Sequence, residues 1–210
     1  GLILAFISFW WMPIVLTQAP GIPANVSLTA ISATELSLTW ASPSNPNGVI
    51  GYRIVWRIAR DDKNMSVNDG VSQTRIIQDG KLSFQITNLE PFSEYNVSVN
   101  AMTNIGNGTI FTVTARTKQS APSAPTNIEV IALSSSQLSL TWEAPLEPNG
   151  VIIGYNVTWR MIANDLNQTV DTTVNKLPSL LSATARTFLI NNLESYSEYK
   201  VTVNAVTIGG

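Results

Sequence analysis

The chain writes one pattern twice, and this duplication limits its fold more than any other feature. Leu36–Trp40 reads LSLTW, and so does Leu138–Trp142. Pro46–Arg57 (PNGVIGYRIVWR) returns as Pro148–Arg160 (PNGVIIGYNVTWR) with one residue added. Asn88–Ala101 (NLEPFSEYNVSVNA) returns as Asn192–Ala205 (NLESYSEYKVTVNA). Three landmarks in the same order, 102 to 104 residues apart, mark two copies of one folding unit. At 210 residues the chain has room for two domains of ordinary size. A Pro/Ser-rich stretch, Thr117–Asn127, separates them. It predicts a first domain over 20–118, a linker over 119–124 and a second domain over 125–210.

Inside each copy the apolar period is two. Leu36, Leu38 and Trp40 alternate with Ser37 and Thr39; Tyr52, Ile54 and Trp56 share one parity, as do Tyr95, Val97, Val99 and Ala101. The second copy repeats this with Leu138/Leu140/Trp142, Tyr155/Val157/Trp159 and Tyr199/Val201/Val203/Ala205. Such alternation turns one set of side chains to a core and the other to water, as half-buried antiparallel strands require. β-Branched and aromatic residues fill the runs, and Pro, Asn and Gly gather between them. The expected fold class is all-β, two tandem β-sandwiches.

The landmarks resemble the fibronectin type III (immunoglobulin-like) fold. The carriers are an early Pro, Trp on the second strand, the PNG turn, Tyr-x-Val/Ile-x-Trp, and Leu-x-Pro/Ser-x-x-x-Tyr-x-Val-x-Val-x-Ala. The resemblance covers about 23–117 and 125–208. It is nearest in kind to tandem arrays in animal cell-surface receptors and adhesion proteins, including receptor-type tyrosine phosphatase ectodomains. One departure is visible: Phe111, Val113 and Ala115 alternate as a seventh strand after the first copy's last landmark, and the second copy shows no counterpart. The second copy is therefore expected to lack its last strand (G) and to be the less stable one.

Residues 1–19 differ in kind. Gly1–Leu16 carries no charge, and the first charged residue of the chain is Glu35. The run is short for a membrane span, which needs about 20 apolar residues. It resembles the apolar region of a secretory signal, with Thr17 and Ala19 as an A-x-A-like exit. A signal-anchor or membrane segment and a gene-model artefact stand as alternatives. No Met opens the chain, so a fragment of a longer protein is expected.

Composition excludes several function classes. Charged residues make up 12% and the formal net charge is −2, which gives no reason to bind nucleic acid. There is no Cys and no His, which removes disulfides, thiol chemistry, the commonest general base and the commonest transition-metal ligand. No nucleophile elbow or phosphate-binding loop is present, and no catalytic residue, cofactor or metal is expected.

The repeated residues belong to the scaffold in this reading. Tyr95 and Tyr199 fit a tyrosine corner, whose hydroxyl bonds to backbone a few residues upstream. Trp40, Tyr52, Trp56, Leu89, Tyr95, Trp142, Tyr155, Trp159, Leu193 and Tyr199 are the expected core. Arg60–Gly70 (RDDKNMSVNDG) gathers acids, but its spacing fails the calcium-loop pattern, so it is read as a solvated loop. The hairpin at Thr103–Thr109 (TNIGNGT) sits where some family members bind integrins. It lacks Arg-Gly-Asp, so integrin binding is not expected.

Six Asn-x-Ser/Thr sequons stand at Asn25, Asn64, Asn96, Asn107, Asn156 and Asn167. A composition so rich in Asn, Ser and Thr yields roughly four by chance, so their placement matters more than their count. Outward residues Arg53, Val55, Arg57 and Ser98 are candidate contacts for a protein ligand. The expected role is a non-catalytic interaction and spacer module of an extracellular or cell-surface protein that has entered the secretory pathway. Membrane association would come only through the N-terminal segment or parts outside this chain. The alternatives are a mechanical array, and the ectodomain of a receptor whose phosphatase domain lies elsewhere.

Overall fold

The computed structural model describes residues 19–67, 71–164, 168–169, 175–176 and 180–209. The apolar head up to residue 18 and the sequon at Asn167 lie outside the described residues. The first copy runs β1 (Ala24–Ala30), β2 (Leu36–Ala41), β3 (Gly51–Arg60), β4 (Gln73–Ile77), β5 (Ser83–Ile86), β6 (Glu94–Thr103), β7 (Gly106–Asn107) and β8 (Phe111–Arg116). One sheet has the order β1-β2-β5; the other has β4-β3-β6-β7, with β8 also on β6. The second copy runs β9 (Thr126–Ser134), β10 (Gln137–Glu143), β11 (Ile152–Ala163), β12 (Asn175–Lys176), β13 (Thr187–Ile190) and β14 (Glu198–Thr207). Its sheets are β13-β10-β9 and β12-β11-β14. Every strand pair is antiparallel, and no helix occurs among the described residues. Each copy is thus a two-sheet sandwich.

Period-two alternation builds the core. Leu36, Leu38, Trp40, Tyr52, Ile54 and Trp56 meet Val97, Val99 and Ala101 between the sheets of the first copy. Leu140, Trp142, Tyr155, Val157, Val203 and Ala205 do so in the second. Even the aromatic pairing repeats. Trp40 stands edge-on to Tyr52 at 5.2 Å, and Trp142 meets Tyr155 at 5.4 Å. Trp56 meets Phe84 at 5.8 Å, and Trp159 meets Phe188 at 5.9 Å. Rings of this size bury ~150–250 Å² each and dominate a core this small.

Three of the expected core residues need correction. Trp159, Leu193 and Tyr199 are half-buried, whereas their counterparts Trp56, Leu89 and Tyr95 are enclosed. The reason is the neighbour beyond the last long strand. In the first copy β8 pairs along β6 and lays Phe111, Val113 and Ala115 against the core. Past β8, Lys118 N–H donates to Ser32 O and closes that end of the sandwich. Among the described residues, β14 pairs with β11 on one side and with nothing on the other.

The turns repeat in conformation as well as in letters. Asn25 and Asn127 (φ 49° and 50°), Asn47 and Asn149 (41° and 50°), and Asn88 and Asn192 (58° and 60°) all sit in the left-handed region. Asn tolerates that region better than most residues with a Cβ. Phe92 and Tyr196 share it, at 47° and 55°, where a bulky side chain is strained.

Candidate functional site

The E–F corner is the most repeated stretch of the chain. Tyr95 Oη accepts the backbone N–H of Glu90 at 2.9 Å, and Tyr199 Oη accepts that of Glu194 at 2.8 Å. Both hydroxyls therefore pin the bend that leads into the long strand, five residues downstream of the amide each one holds. Burial pushes the Tyr95 hydroxyl above the ordinary tyrosine value. The Glu90 amide pulls it back in part, and the charge of Glu90 pushes it up again. The geometry is that of a structural latch.

Around the first corner a polar cluster closes. Thr117, 2% exposed, donates its hydroxyl to Glu90 O at 2.7 Å and accepts the N–H of Ser93 at 3.0 Å. Arg116 lies over the Phe92 ring, 4.8 Å from its centroid, and Nη1 donates to Phe92 O at 2.8 Å. Its Nη2 donates to Asn64 Oδ1 at 2.7 Å and faces Glu94 at 3.9 Å. The loop after β3 is thereby tied to the corner. Asp61 Oδ1 accepts the N–H groups of Lys63 and Met65, so this acidic carboxylate is used to shape its own turn.

The junction between the copies is the part that residue patterns did not disclose. Asp62 Oδ2, from the first copy, accepts the N–H of Asn149 in the second copy's PNG turn at 3.0 Å. Asn149 also donates Nδ2 to Ala121 O at 3.0 Å, and its carbonyl accepts the N–H of Ser120 at 3.0 Å. Gln119 Oε1 accepts the N–H of Val151, and Thr207 Oγ1 donates to Ser120 O at 2.8 Å. A Cβ at Gly150 would stand 2.5 Å from Gln119 Oε1, so any other residue there would push the Gln119 side chain aside. The same turn in the first copy grips the preceding chain: Asn47 Nδ2 reaches Ala19 O, and Gly21 N–H donates to Asn45 O. Ala19, expected as the exit of a leader, thus lies exposed beside the first copy's PNG turn. The PNG landmark, read from sequence as a turn only, also fastens the segment that enters each copy. Asp62 stood inside the acidic loop and Gln119 inside the linker, and neither showed a pattern that would single it out.

The candidate ligand face and the sequons fall as follows. Arg53 and Arg57 are exposed on the outer side of β3, with Val55 and Ser98 half-buried beside them. Asn25, Asn64 and Asn107 are exposed, while Asn96 and Asn156 lie half-buried on strands β6 and β11. The register of β3 and β6 sets Val55 opposite Ser98 and Arg57 opposite Asn96, so the candidate contacts share one sheet with that sequon, while the other described sequons lie on other elements.

Known proteins supply the family. Residues 20–118 and 123–210 each match the family described as fibronectin type III domain. Receptor-type tyrosine-protein phosphatase F of Danio rerio is 39% identical over 140 residues, 66% of this chain and 7% of that protein. Protein sidekick-1 of Homo sapiens is 32% identical over 194 residues, 90% of this chain and 8% of that protein. Phosphatidylinositol phosphatase PTPRQ of Rattus norvegicus is 29% identical over 191 residues, again 90% of this chain and 7% of that protein. The chain therefore spans a small part of the length of each relative. With two matched sandwiches, two tyrosine latches and two PNG turns, it belongs to the fibronectin type III domain family.

Proposed function

We propose that this chain is an extracellular protein-interaction and spacer module of a longer cell-surface receptor or adhesion protein, with no catalytic role of its own. The observation that carries the spacer reading is the junction. Asp62 of the first copy accepts from Asn149 of the second, and Gln119, Ser120 and Ala121 of the linker bond to Val151, Thr207 and Asn149, which fastens the linker to the second copy. A free six-residue linker would let two modules swing, whereas a linker bonded to the loop it passes presents both outer faces in one orientation. The similarity to receptor-type phosphatases and sidekick proteins supports placement at the cell surface. Arg53 and Arg57 are offered as contacts for a protein ligand on the outer face of the first copy.

Two measurements test this reading. Spin labels on β4 and β13 of the intact chain give one narrow distance distribution, and the triple variant Asp62→Ala, Gln119→Ala, Asn149→Ala broadens it. A distribution equally broad before and after removes the spacer role. A C-terminal epitope on the chain is reached by antibody on intact cells. A signal seen only after permeabilisation favours the intracellular mechanical array instead.

A further inference from the structure

We propose that Asn107, on the β6–β7 hairpin of the first copy, is an N-linked glycan site. Four of the other sequon asparagines are tied into the fold or half-buried in it. Asn25 has φ 49°, and its counterpart Asn127 has φ 50° within Asn-Ile-Glu, which is no sequon. Asparagine at that position therefore answers a backbone demand. Asn64 has φ 63°, its Oδ1 accepts from Arg116, and its carbonyl accepts from Arg60. Asn96 is half-buried and its Oδ1 accepts the Thr114 hydroxyl at 2.8 Å. Asn156 is half-buried in the middle of β11, opposite Asn204.

Asn107 has none of these duties. It is exposed, its backbone is not left-handed, and no side-chain hydrogen bond is made to it among the described residues. Thr109, whose hydroxyl completes the sequon, is exposed as well. The backbone that carries them is nevertheless firm: Asn107 pairs with Met102, and Gly108 N–H donates to Ala101 O at 2.8 Å. Two large apolar side chains flank the site, Ile105 at 54% and Ile110 at 60% exposure. An oligosaccharide rooted between them would cover apolar surface that an extracellular protein otherwise leaves open to association.

The group transfer balances with one co-reactant, a lipid-pyrophosphate-linked oligosaccharide. The Asn107 amide nitrogen bonds to the anomeric carbon of the first sugar, the bond from that carbon to the phosphate oxygen breaks, and the lipid pyrophosphate leaves. One amide proton is released to solvent. The inference rests on the secretory reading of Proposed function, so the experiment separates the two.

The intact chain, with an added sequon in a flexible C-terminal tag, is produced in animal cells. It is treated with an N-glycanase in heavy-oxygen water and mapped by mass. A parallel incubation in heavy-oxygen water without the enzyme measures spontaneous deamidation of the Asn107–Gly108 step, which takes up the same label, and only label above that control counts as a removed glycan. The expected result is a labelled tag and a labelled Asn107, and one glycan fewer by gel mobility in Asn107→Gln. A bare Asn107 in a chain whose tag is glycosylated overturns the site. A bare tag overturns the secretory reading. The same chain is then driven into the lumen behind a cleavable leader, and a bare Asn107 there overturns the site by itself.

Discussion

In the first copy β1 lies against β8, and Val26, Leu28 and Ala30 are half-buried between the two strands. In the second copy β9 follows the same course with no strand beyond it among the described residues. Ile128 and Val130, the counterparts of Val26 and Leu28, are 47% and 45% exposed. The copies share their turns, their tryptophans and their tyrosine latch, so those features do not account for the difference in burial. The difference is one strand, and it is felt on the opposite sheet. A β-sandwich is closed by its edges as much as by its centre, because the first and last strands face each other across the open side of the core.

The largest expected effect follows from that gap. Partial burial of Val26, Leu28, Phe111 and Val113 in the first copy is worth about 1 kcal/mol each, or about 4 kcal/mol together, by area bookkeeping. Among the described residues the second copy has no strand to complete this packing, and Ile128 and Val130 stay 47% and 45% exposed. In urea the intact chain should unfold in two steps separated by about 2 M or more, with the second copy leaving first. Hydrogen exchange assigns the steps, since β14 amides should exchange long before those of β6. A single transition with equal protection in β6 and β14 would break the comparison. Adding a peptide with the β8 sequence should raise the lower midpoint and leave the upper one in place.

Much of this architecture was legible before any coordinates. Period-two alternation placed Trp40, Tyr52, Trp56, Trp142 and Tyr155 in cores. The half-burial of Trp159, Leu193 and Tyr199 was not legible, because parity says which way a side chain faces and not whether anything covers it. Phe92 and Tyr196 were opaque for another reason: local preference argues against a bulky residue at positive φ, and only the surrounding structure imposes it. The junction was hidden because Asp62 and Asn149 are 87 positions apart, and their hydrogen bond depends on the path of the backbone.

A second contrast separates two tyrosines. Tyr52 Oη reaches Ser42 Oγ at 3.1 Å, while Tyr155 Oη is buried with no partner among the described residues. Ser42 is replaced by Ala144 at the equivalent place, so the second copy encloses a hydroxyl that it does not satisfy. Ala144→Ser should stabilise the second copy by about 1 kcal/mol, and Ser42→Ala should weaken the first by a similar amount. Thermal unfolding of both variants checks this. Two null results would mean that water reaches both hydroxyls.

The strained aromatics should part in sign. Phe92 is held under Arg116 at 4.8 Å, but Tyr196 is 93% exposed and no basic side chain caps it among the described residues. A left-handed residue with a Cβ costs roughly 1–2 kcal/mol, partly offset by the greater freedom of glycine when unfolded. Tyr196→Gly should therefore stabilise the second copy by about 0.5 kcal/mol. Phe92→Gly loses the ring contact and should destabilise the first. Equal shifts in the same direction would show that Arg116 contributes nothing to the corner.

The smallest effect is a change with pH, and it belongs to the latch. Tyr95→Phe removes the acceptor for the Glu90 amide and should cost about 1 kcal/mol at neutral pH; Tyr199→Phe, at a half-buried site open to water, should cost about half that. The Tyr95 hydroxyl is raised above its ordinary value of 10.0, chiefly by burial. Above that value the unfolded chain gives up this proton and the folded chain keeps it, so the folded state binds more protons and stability falls as pH rises. The contribution is complete below pH 10 and is lost as pH climbs from there toward the raised value of the folded state. The stability gap between the parent chain and Tyr95→Phe should therefore narrow on the alkaline side, with all other alkaline titrations cancelling in the difference. Urea unfolding of the pair at pH 8 and at pH 10.5 measures it. A gap that stays constant or widens would mean that water reaches the first latch as freely as it reaches the second.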